Sequence, residues 1–255
     1  MSVLKGFSGC PTTVAKVTDI INELKARHLN CYRIAFTASW ATSSRPRNYS
    51  PNGHAYIKAL LDAGITVIVD RNHRVKSNDN NVIPWATALS DLLEVLTYFK
   101  NDPNFSKLGV ELFNEYSGAD EYTQGQTLVN GIRNAGYTNP IYLCDQPGPA
   151  MKLLVNPSGK SGDIVQGIHH YMDEGKDWKT RQNTLKSLGC VNLVDTEHGA
   201  ATTTSLYDQA GEGTVLVSAL NNLIAYNDAN GISTLIWMDD DLHTLPLYGL
   251  SLIHI

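Results

Sequence analysis

The chain has 255 residues, of which 42% are hydrophobic and 18% charged, and its formal net charge is −5. This composition excludes a disordered or collagen-like chain, and the slight acidic excess leaves no basic patch that could hold a nucleic acid. No apolar stretch approaches the roughly 18 residues of a membrane span, and the opening segment lacks the apolar core of a signal peptide, so we expect a soluble α/β protein without nucleic-acid or membrane partners.

Apolar runs of strand length alternate with segments of helical periodicity along the chain. The clearest strand is GITVIVD at residues 64–70, which is apolar on both faces, as is typical of a parallel strand covered on both sides. Strands are predicted, in chain order, at residues 3–7, 31–36, 64–70, 108–113, 141–144, 163–169, 191–195 and 233–237.

Helices are predicted between these strands. The first carries apolar residues from Val14 to Leu24 at helical spacing, and the second starts near Pro51, since proline is tolerated in the first helical turn. In chain order, helices are predicted at residues 12–28, 50–61, 84–99, 121–135, 149–155, 178–188 and 215–229.

The eight predicted strands begin about 33 residues apart on average, which is the length of one βα unit. Eight such units predict a closed (β/α)8 barrel, a TIM barrel, as a single domain over residues 1–255. An open doubly wound sheet is disfavoured because GFSGCP, after the first strand, lacks the glycine spacing of a phosphate-binding loop. Only 18 residues follow Trp237, so we expect a compact barrel with a reduced last helix.

The four cysteines lie far apart on this predicted barrel. Cys31 and Cys190 fall at the amino ends of the second and seventh strands, whereas Cys10 and Cys144 follow the first and fifth strands. Neither pair meets the Cα separation of less than about 7 Å that a disulfide needs. We expect four unpaired thiols, and no cysteine or histidine spacing indicates zinc.

Polar side chains gather where the predicted strands end, which is where barrels of this type place their active sites. Two of them are glutamates on strands four and seven, which match an acid and a nucleophile acting from opposite sides of a glycosidic bond. The whole strand-end set is Arg33, Asp70, Asn72, His73, Asn114, Glu115, His169, His170, Tyr171, Asp195, Glu197, Trp237 and residues 239–241.

Four segments of the chain resemble the motifs of the clan A glycoside hydrolases. VELFNEY and VDTEHG resemble the strand-four Asn-Glu motif and the strand-seven Glu-x-Gly motif, while CYRIAF and IHHY resemble the arginine segment of strand two and the His-x-Tyr segment of strand six. Their order, from Gly6 to Trp237, is most similar to family 5, which contains cellulases and mannanases.

The resemblance implies that two glutamates are catalytic, with Glu115 as the general acid/base and Glu197 as the nucleophile. It also implies a set of side chains around them: Asn114 at the sugar 2-hydroxyl, Arg33 and Tyr171 on the nucleophile, His169 beside the acid/base, and Trp237 as the sugar-stacking platform.

This chain departs from the family pattern at two positions. Strand three ends in Asp70-Arg71-Asn72-His73, one residue longer than the family's Asp-x-His, so either Asn72 or His73 fills that position. Tyr116 stands where a proline often follows the acid/base. Both departures concern contacts with the substrate rather than the chemistry.

Elementary electrostatics separates the two glutamates. A carboxylate beside Arg33 and the Tyr171 hydroxyl is stabilised as an anion, which suits Glu197 as the nucleophile. A second carboxyl group that is near this anion and partly desolvated has a raised pKa and keeps its proton, which suits Glu115 as the acid.

The sequence therefore predicts a retaining glycosidase, an endo-β-1,4-glucanase or cellulase, that cleaves a β-linked oligo- or polysaccharide without a cofactor. A β-mannanase or another β-glycosidase of the clan is the first alternative, and a glycan-binding barrel with weak turnover is the alternative of another class. A metal-dependent hydrolase is disfavoured, since only Asp70, His73 and His169 could supply ligands. The compartment stays open: such enzymes are commonly secreted, yet neither a signal peptide nor a disulfide is expected.

Overall fold

The computed structural model describes residues 3–9, 14–35, 51–70, 85–114, 119–144, 152–171, 178–199 and 222–238. Within these ranges, eight parallel strands close into a barrel in which each strand pairs with the next and the last pairs with the first. Among the helices so described, none has the length and apolar character needed to cross a membrane. The predicted (β/α)8 barrel is confirmed.

All eight strands fall where the sequence predicts them, shifted by a few residues at their ends. The strands are β1 Lys5–Gly9, β2 Cys31–Ala35, β3 Thr66–Asp70, β4 Leu108–Asn114, β5 Ile141–Cys144, β6 Ile164–Tyr171, β7 Leu193–Gly199 and β8 Ser233–Met238. The helices are α1 Val14–Ala26, α2 Pro51–Asp62, α3 Trp85–Phe99, α4 Glu121–Asn134, α5 Trp178–Ser187 and α6 at residues 222–229, with a short 3-10 helix at Phe105–Lys107 before β4.

The connection from β5 to β6 differs from the prediction. A helix was predicted at 149–155, but residues 152–155 are irregular, and the remainder of that range lies outside the described residues. The backbone of Val155 bonds instead to the side-chain amide of Gln126 in α4, which accepts from the Val155 N–H at 3.1 Å and donates to its carbonyl at 2.7 Å. These bonds satisfy the backbone groups that a helix would otherwise pair.

Arg133 of α4 ties the rest of this connection to the barrel. The side chain is buried, and its hydrogen bonds go to uncharged oxygens: the Asn156 side chain at 2.7 Å and the carbonyls of Tyr137, Asn139 and Asp163 at 2.9, 2.9 and 3.0 Å. Gly162 allows this approach, because a Cβ there would lie 2.6 Å from the Arg133 guanidinium carbon. The segment is therefore held at both ends by α4.

The barrel interior changes character along its axis. Its lower part is apolar, formed by residues of seven strands or strand starts that can meet only across the axis: Leu4, Cys31, Ile68, Tyr142, Val165, Val194 and Leu235. Toward the carboxyl ends of the strands, the interior residues become polar. Outside the barrel, a separate apolar layer joins the strands to α1–α4. The polar layer therefore has buried apolar side chains below it along the axis and outside the strands that carry it.

Two of the predicted thiols lie in the described part of the chain, and both are unpaired, as expected. Burial raises the pKa of the Cys31 thiol, so it remains a neutral, apolar member of the interior. Cys190 lies before β7 and donates to the Asn192 carbonyl at 3.2 Å. Cys10 and the side chain of Cys144 lie outside the described residues.

Candidate active site

Arg33 is the centre of the polar layer. It projects from β2 into the barrel, is fully buried, and donates hydrogen bonds to side chains from three other strands. Its Nε and Nη2 bond the two oxygens of Glu111 at 2.5 and 2.6 Å, and Nη1 bonds the Ser8 hydroxyl at 2.8 Å. Nη2 also lies 2.7 Å from Asn114 Oδ1 and 3.2 Å from Asp70 Oδ2. A buried guanidinium requires such partners.

Glu111 is the residue that the sequence analysis missed. It lies inside β4 rather than at its end, and it is fully buried. Burial raises the pKa of Glu111, and Asp70 raises it further, while Arg33 and His169 oppose the shift. The two-pronged contact is strongest with the ionised carboxylate, because a guanidinium only donates and a carboxylate accepts through both oxygens. One signal was available: VELF places a charge inside an apolar strand, as CYRIAF does for Arg33.

A β-bulge in β4 brings Asn114 to the same side as Glu111. Glu111 and Asn114 are three positions apart in β4, whereas their partners Tyr142 and Cys144 in β5 are two positions apart. The intervening Leu112 and Phe113 both belong to the apolar layer outside the barrel, which a regular alternation would forbid. Asn114 can therefore meet Arg33 inside the barrel.

β7 contains a second bulge, just before the predicted nucleophile position. Asp195 pairs with Ile168, but His169, the next residue of β6, pairs with Glu197, so Thr196 is the extra residue. The same irregularity separates the pairs Asp195–Thr234 and His198–Ile236 on the β8 side. In a regular strand, the side chains of residues 195 and 197 would point to the same face of the sheet. Because Thr196 is an extra residue, residues 195 and 197 no longer have to share a face.

Asp195 belongs to the outside of the barrel and not to the polar layer around Arg33. It is buried, and its Oδ2 accepts from Asn227 of α6 at 3.4 Å. Asn227 in turn bonds Gln182 of α5 at 2.9 Å and Thr234 of β8 at 3.1 Å. This network fastens β7 to both neighbouring helices two residues before Glu197.

The predicted site residues divide into three groups. Arg33 and Asn114 are in direct contact, and His169 is buried and close enough to influence the ionisation of Glu111. For Tyr171, Glu197 and Trp237 the structure describes the backbone alone. In the strand pairing, Glu197 lies opposite His169, Tyr171 lies opposite Gly199, and Trp237 lies opposite Ser8. Asn72, His73 and Glu115 lie outside the described residues, although Glu115 directly follows Asn114.

No cluster of histidine, cysteine or carboxylate side chains that could hold a metal ion occurs within the part of the chain that the structure describes. The Arg33 layer is instead an ion-pair network in which one guanidinium is matched to carboxylates of β3 and β4. Its chemistry is that of a fixed array of charges and hydrogen-bond donors.

A closed parallel barrel with its polar layer at the carboxyl ends of the strands defines the class of TIM-barrel proteins. The sequence model of the family described as Cellulase (glycosyl hydrolase family 5) matches residues 2–241. The chain therefore belongs to glycosyl hydrolase family 5 and is a glycoside hydrolase, which confirms the resemblance seen in the strand-end motifs.

Solved structures show the same fold at low identity. The chain is similar to the Pseudomonas stutzeri endoglucanase Cel5A, with 16% identity and a TM-score of 0.67 over 94% of this chain and 88% of that one. It is also similar to XacCel5A in complex with cellopentaose, with 15% identity and a TM-score of 0.62 over 93% of this chain and 88% of that one. The mannohexaose complex of Thermomonospora fusca β-mannanase is similar with 12% identity and a TM-score of 0.66 over 93% of this chain and 78% of that one. A search of curated proteins gave no match.

Proposed function

We propose that this protein is a retaining endo-β-1,4-glucanase that cleaves a β-linked glucan by double displacement. The observation that carries the proposal is the buried Arg33–Glu111–Asn114 array, in which Asn114 ends β4 one residue before Glu115. Membership of family 5 and the likeness to structures holding cellopentaose or cellobiose support the substrate class.

In the proposed first step, Glu115 gives its proton to the glycosidic oxygen while Glu197 attacks the anomeric carbon and forms a glycosyl-enzyme. In the second step Glu115 takes a proton from water, which attacks the same carbon and releases Glu197. Asn114 contributes by binding the hydroxyl next to the reacting carbon, and the Arg33 network holds Asn114 in place. Arg33 also adds positive charge near the nucleophile, and this charge is shared with Glu111 and Asp70.

A β-mannanase is the second candidate. The observation that favours it is the likeness to the mannohexaose complex, whose TM-score of 0.66 is close to the 0.67 of the endoglucanase. Glucose and mannose differ in the configuration of the hydroxyl at carbon 2, which is the group that Asn114 is proposed to contact. The same polar layer is therefore compatible with either sugar.

The test is a hydrolysis screen of the wild-type protein on β-glucans, mannans and xylans, with sizing of the products. The proposal expects β-1,4-glucan to be cleaved internally, giving a rapid fall in chain length. The matched control is the double variant Glu115→Gln/Glu197→Gln, which keeps both side-chain volumes and should be inactive. Cleavage of mannan alone would favour the second candidate, and binding without cleavage would contradict the enzyme proposal.

A further inference from the structure

We propose that Glu111 is a positioning residue: through Arg33 it fixes the side-chain amide of Asn114, so that the amide nitrogen is the group presented to the substrate hydroxyl. This inference rests on the proposed glycosidase function for its substrate, but the orientation of the amide can be measured without any substrate.

The Glu111–Arg33 pair is held in one relative orientation. Two parallel hydrogen bonds, from Nε and Nη2 to the two carboxylate oxygens, fix the plane of the guanidinium relative to β4. Both side chains are fully buried, so water does not compete for these bonds. The Ser8 hydroxyl at 2.8 Å from Nη1 supports the opposite side of the guanidinium.

The Asn114 atom that faces Arg33 is its amide oxygen. A guanidinium carries donors and no acceptor, so the atom 2.7 Å from Nη2 must be the amide oxygen. Because Oδ1 accepts from Arg33, the remaining polar atom of the amide, Nδ2, is a donor. Asn114 therefore contacts a substrate oxygen as a hydrogen-bond donor.

The β4 bulge leaves the Asn114 backbone little freedom. Phe113, next to it, is fully buried outside the barrel, where its ring packs edge-on against Trp85 of α3 at 5.4 Å between centroids. Leu112 is buried in the same layer. With the backbone held in this way, the orientation of the Asn114 amide depends on its partner Arg33, and the orientation of Arg33 depends on Glu111.

The informative variant is Glu111→Gln, which keeps the volume and removes one of two acceptors. A glutamine amide can accept a hydrogen bond from one guanidinium N–H through its oxygen. Its NH2 group is a donor and cannot accept from the second guanidinium N–H. The Arg33 side chain then loses its fixed plane, and the Asn114 amide loses its fixed partner. The matched control is Glu23→Gln, which alters an arginine–glutamate pair with Arg27 on α1, partly exposed and away from the polar layer.

The kinetic test compares two aryl β-glycosides of whichever sugar the wild type cleaves, one with the 2-hydroxyl and one without it. Glu111→Gln should lower kcat/KM by about tenfold on the hydroxylated substrate, mainly in kcat, and by less than about twofold on the 2-deoxy substrate. Glu111→Gln should add nothing further in an Asn114→Ala background. Equal losses on the two substrates, or no loss on either, would overturn the positioning role.

The structural test is NMR of the protein labelled at asparagine side chains, with the Asn114 amide assigned by its disappearance in Asn114→Asp. The amide should be ordered in the wild type and in Glu23→Gln, and mobile in Glu111→Gln. If the amide becomes mobile but no glycoside is cleaved even by the wild type, the positioning inference stands and the proposed function fails. If glycosides are cleaved and the amide stays ordered in Glu111→Gln, the positioning inference fails and the proposed function stands.

If Glu111→Gln does not fold, Glu111→Asp replaces it in both tests. The aspartate keeps the negative charge but is one methylene shorter, so it cannot reach Nε and Nη2 together. The expected result is the same separation between the two substrates, and its absence counts against the inference in the same way.

Discussion

Replacing Arg33 by Met removes the positive charge of the polar layer while keeping most of the side-chain volume. Glu111 and Asp70 are then left facing each other, both fully buried and without the guanidinium that joins them. Removing one partner of a buried ion pair costs about 3–5 kcal/mol in the free energy of unfolding, chiefly because the remaining charge is uncompensated. We expect a loss of this size near neutral pH.

The loss should depend on pH, and its sign follows from Glu111. Burial and Asp70 raise the pKa of Glu111 above its ordinary value of 4.5, and Arg33 opposes them, so removing Arg33 raises the pKa further. The folded variant then binds a proton that the unfolded chain has already released. Its unfolding free energy therefore falls as the pH rises from 4.5 toward the folded pKa, by about 1.4 kcal/mol per pH unit.

The assay is urea unfolding followed by circular dichroism at about pH 5 and about pH 8, for the wild type and the variant. The difference in unfolding free energy between the two proteins should be larger at the higher pH, because removing Arg33 raises the pKa of Glu111 above its value in the wild type. Arg133→Met is the matched control, because Arg133 is also buried but its hydrogen bonds go to amide and carbonyl oxygens, and the carboxylate that acts on its pKa, Asp163, is exposed rather than buried. Equal destabilisation by Arg33→Met at both pH values would refute the account of a buried, uncompensated carboxylate.

Three other predictions test the catalytic mechanism and the packing of the barrel. Proton NMR of the earliest hydrolysis products should show the β anomer, and an initial α anomer would exclude double displacement. Glu115→Ala should lose much more activity on substrates with poor leaving groups than on aryl glycosides of acidic phenols, and azide should rescue it as the β-glycosyl azide. Glu197→Ala should gain nothing from good leaving groups and should give the α azide, so β azide from Glu197→Ala would reverse the two roles. Gly6→Ala should lower the free energy of unfolding by about 3 kcal/mol or more, since its Cβ would lie 1.8 Å from the Cys31 carbonyl oxygen. Gly136→Ala meets no atom within 4 Å and should cost only about 1–2 kcal/mol for its positive φ, so equal thermal stability of the two variants would contradict this reasoning.

The barrel could be predicted from the sequence because its strands are buried on both faces. A run such as TVIVD in β3 has four fully or nearly buried residues in succession, and that burial pattern is what its composition indicates. The helix predicted at 149–155 was wrong over residues 152–155, because the competing partner of that backbone is the Gln126 side chain, more than 25 residues earlier in the chain. The residues near position 155 give no sign of this hydrogen-bond partner, because Gln126 is distant in the sequence.

The polar layer was predicted in part. Arg33 and Asn114 were identified from strand-end motifs, and the structure joins them at 2.7 Å. Glu111 was missed because the search was confined to strand ends, although a charge inside VELF carries the same signal as Arg33. The two bulges could not be predicted at all. A bulge is a mismatch between the residue counts of two paired strands, and β4 shows nothing unusual until it is aligned with β5.

The bulges of β4 and β7 restrict how this barrel can be recombined with its relatives. An exchange of segments that starts or ends inside 111–114 or 195–198 would combine a bulged strand from one parent with a partner strand from another. Every residue beyond the junction would then be moved by one place relative to its neighbours, and inner and outer residues would change sides. Chimeras of this protein should therefore be joined outside the blocks β4–β5 and β6–β8, for example in α3, so that each bulge is inherited together with the strands against which it is counted.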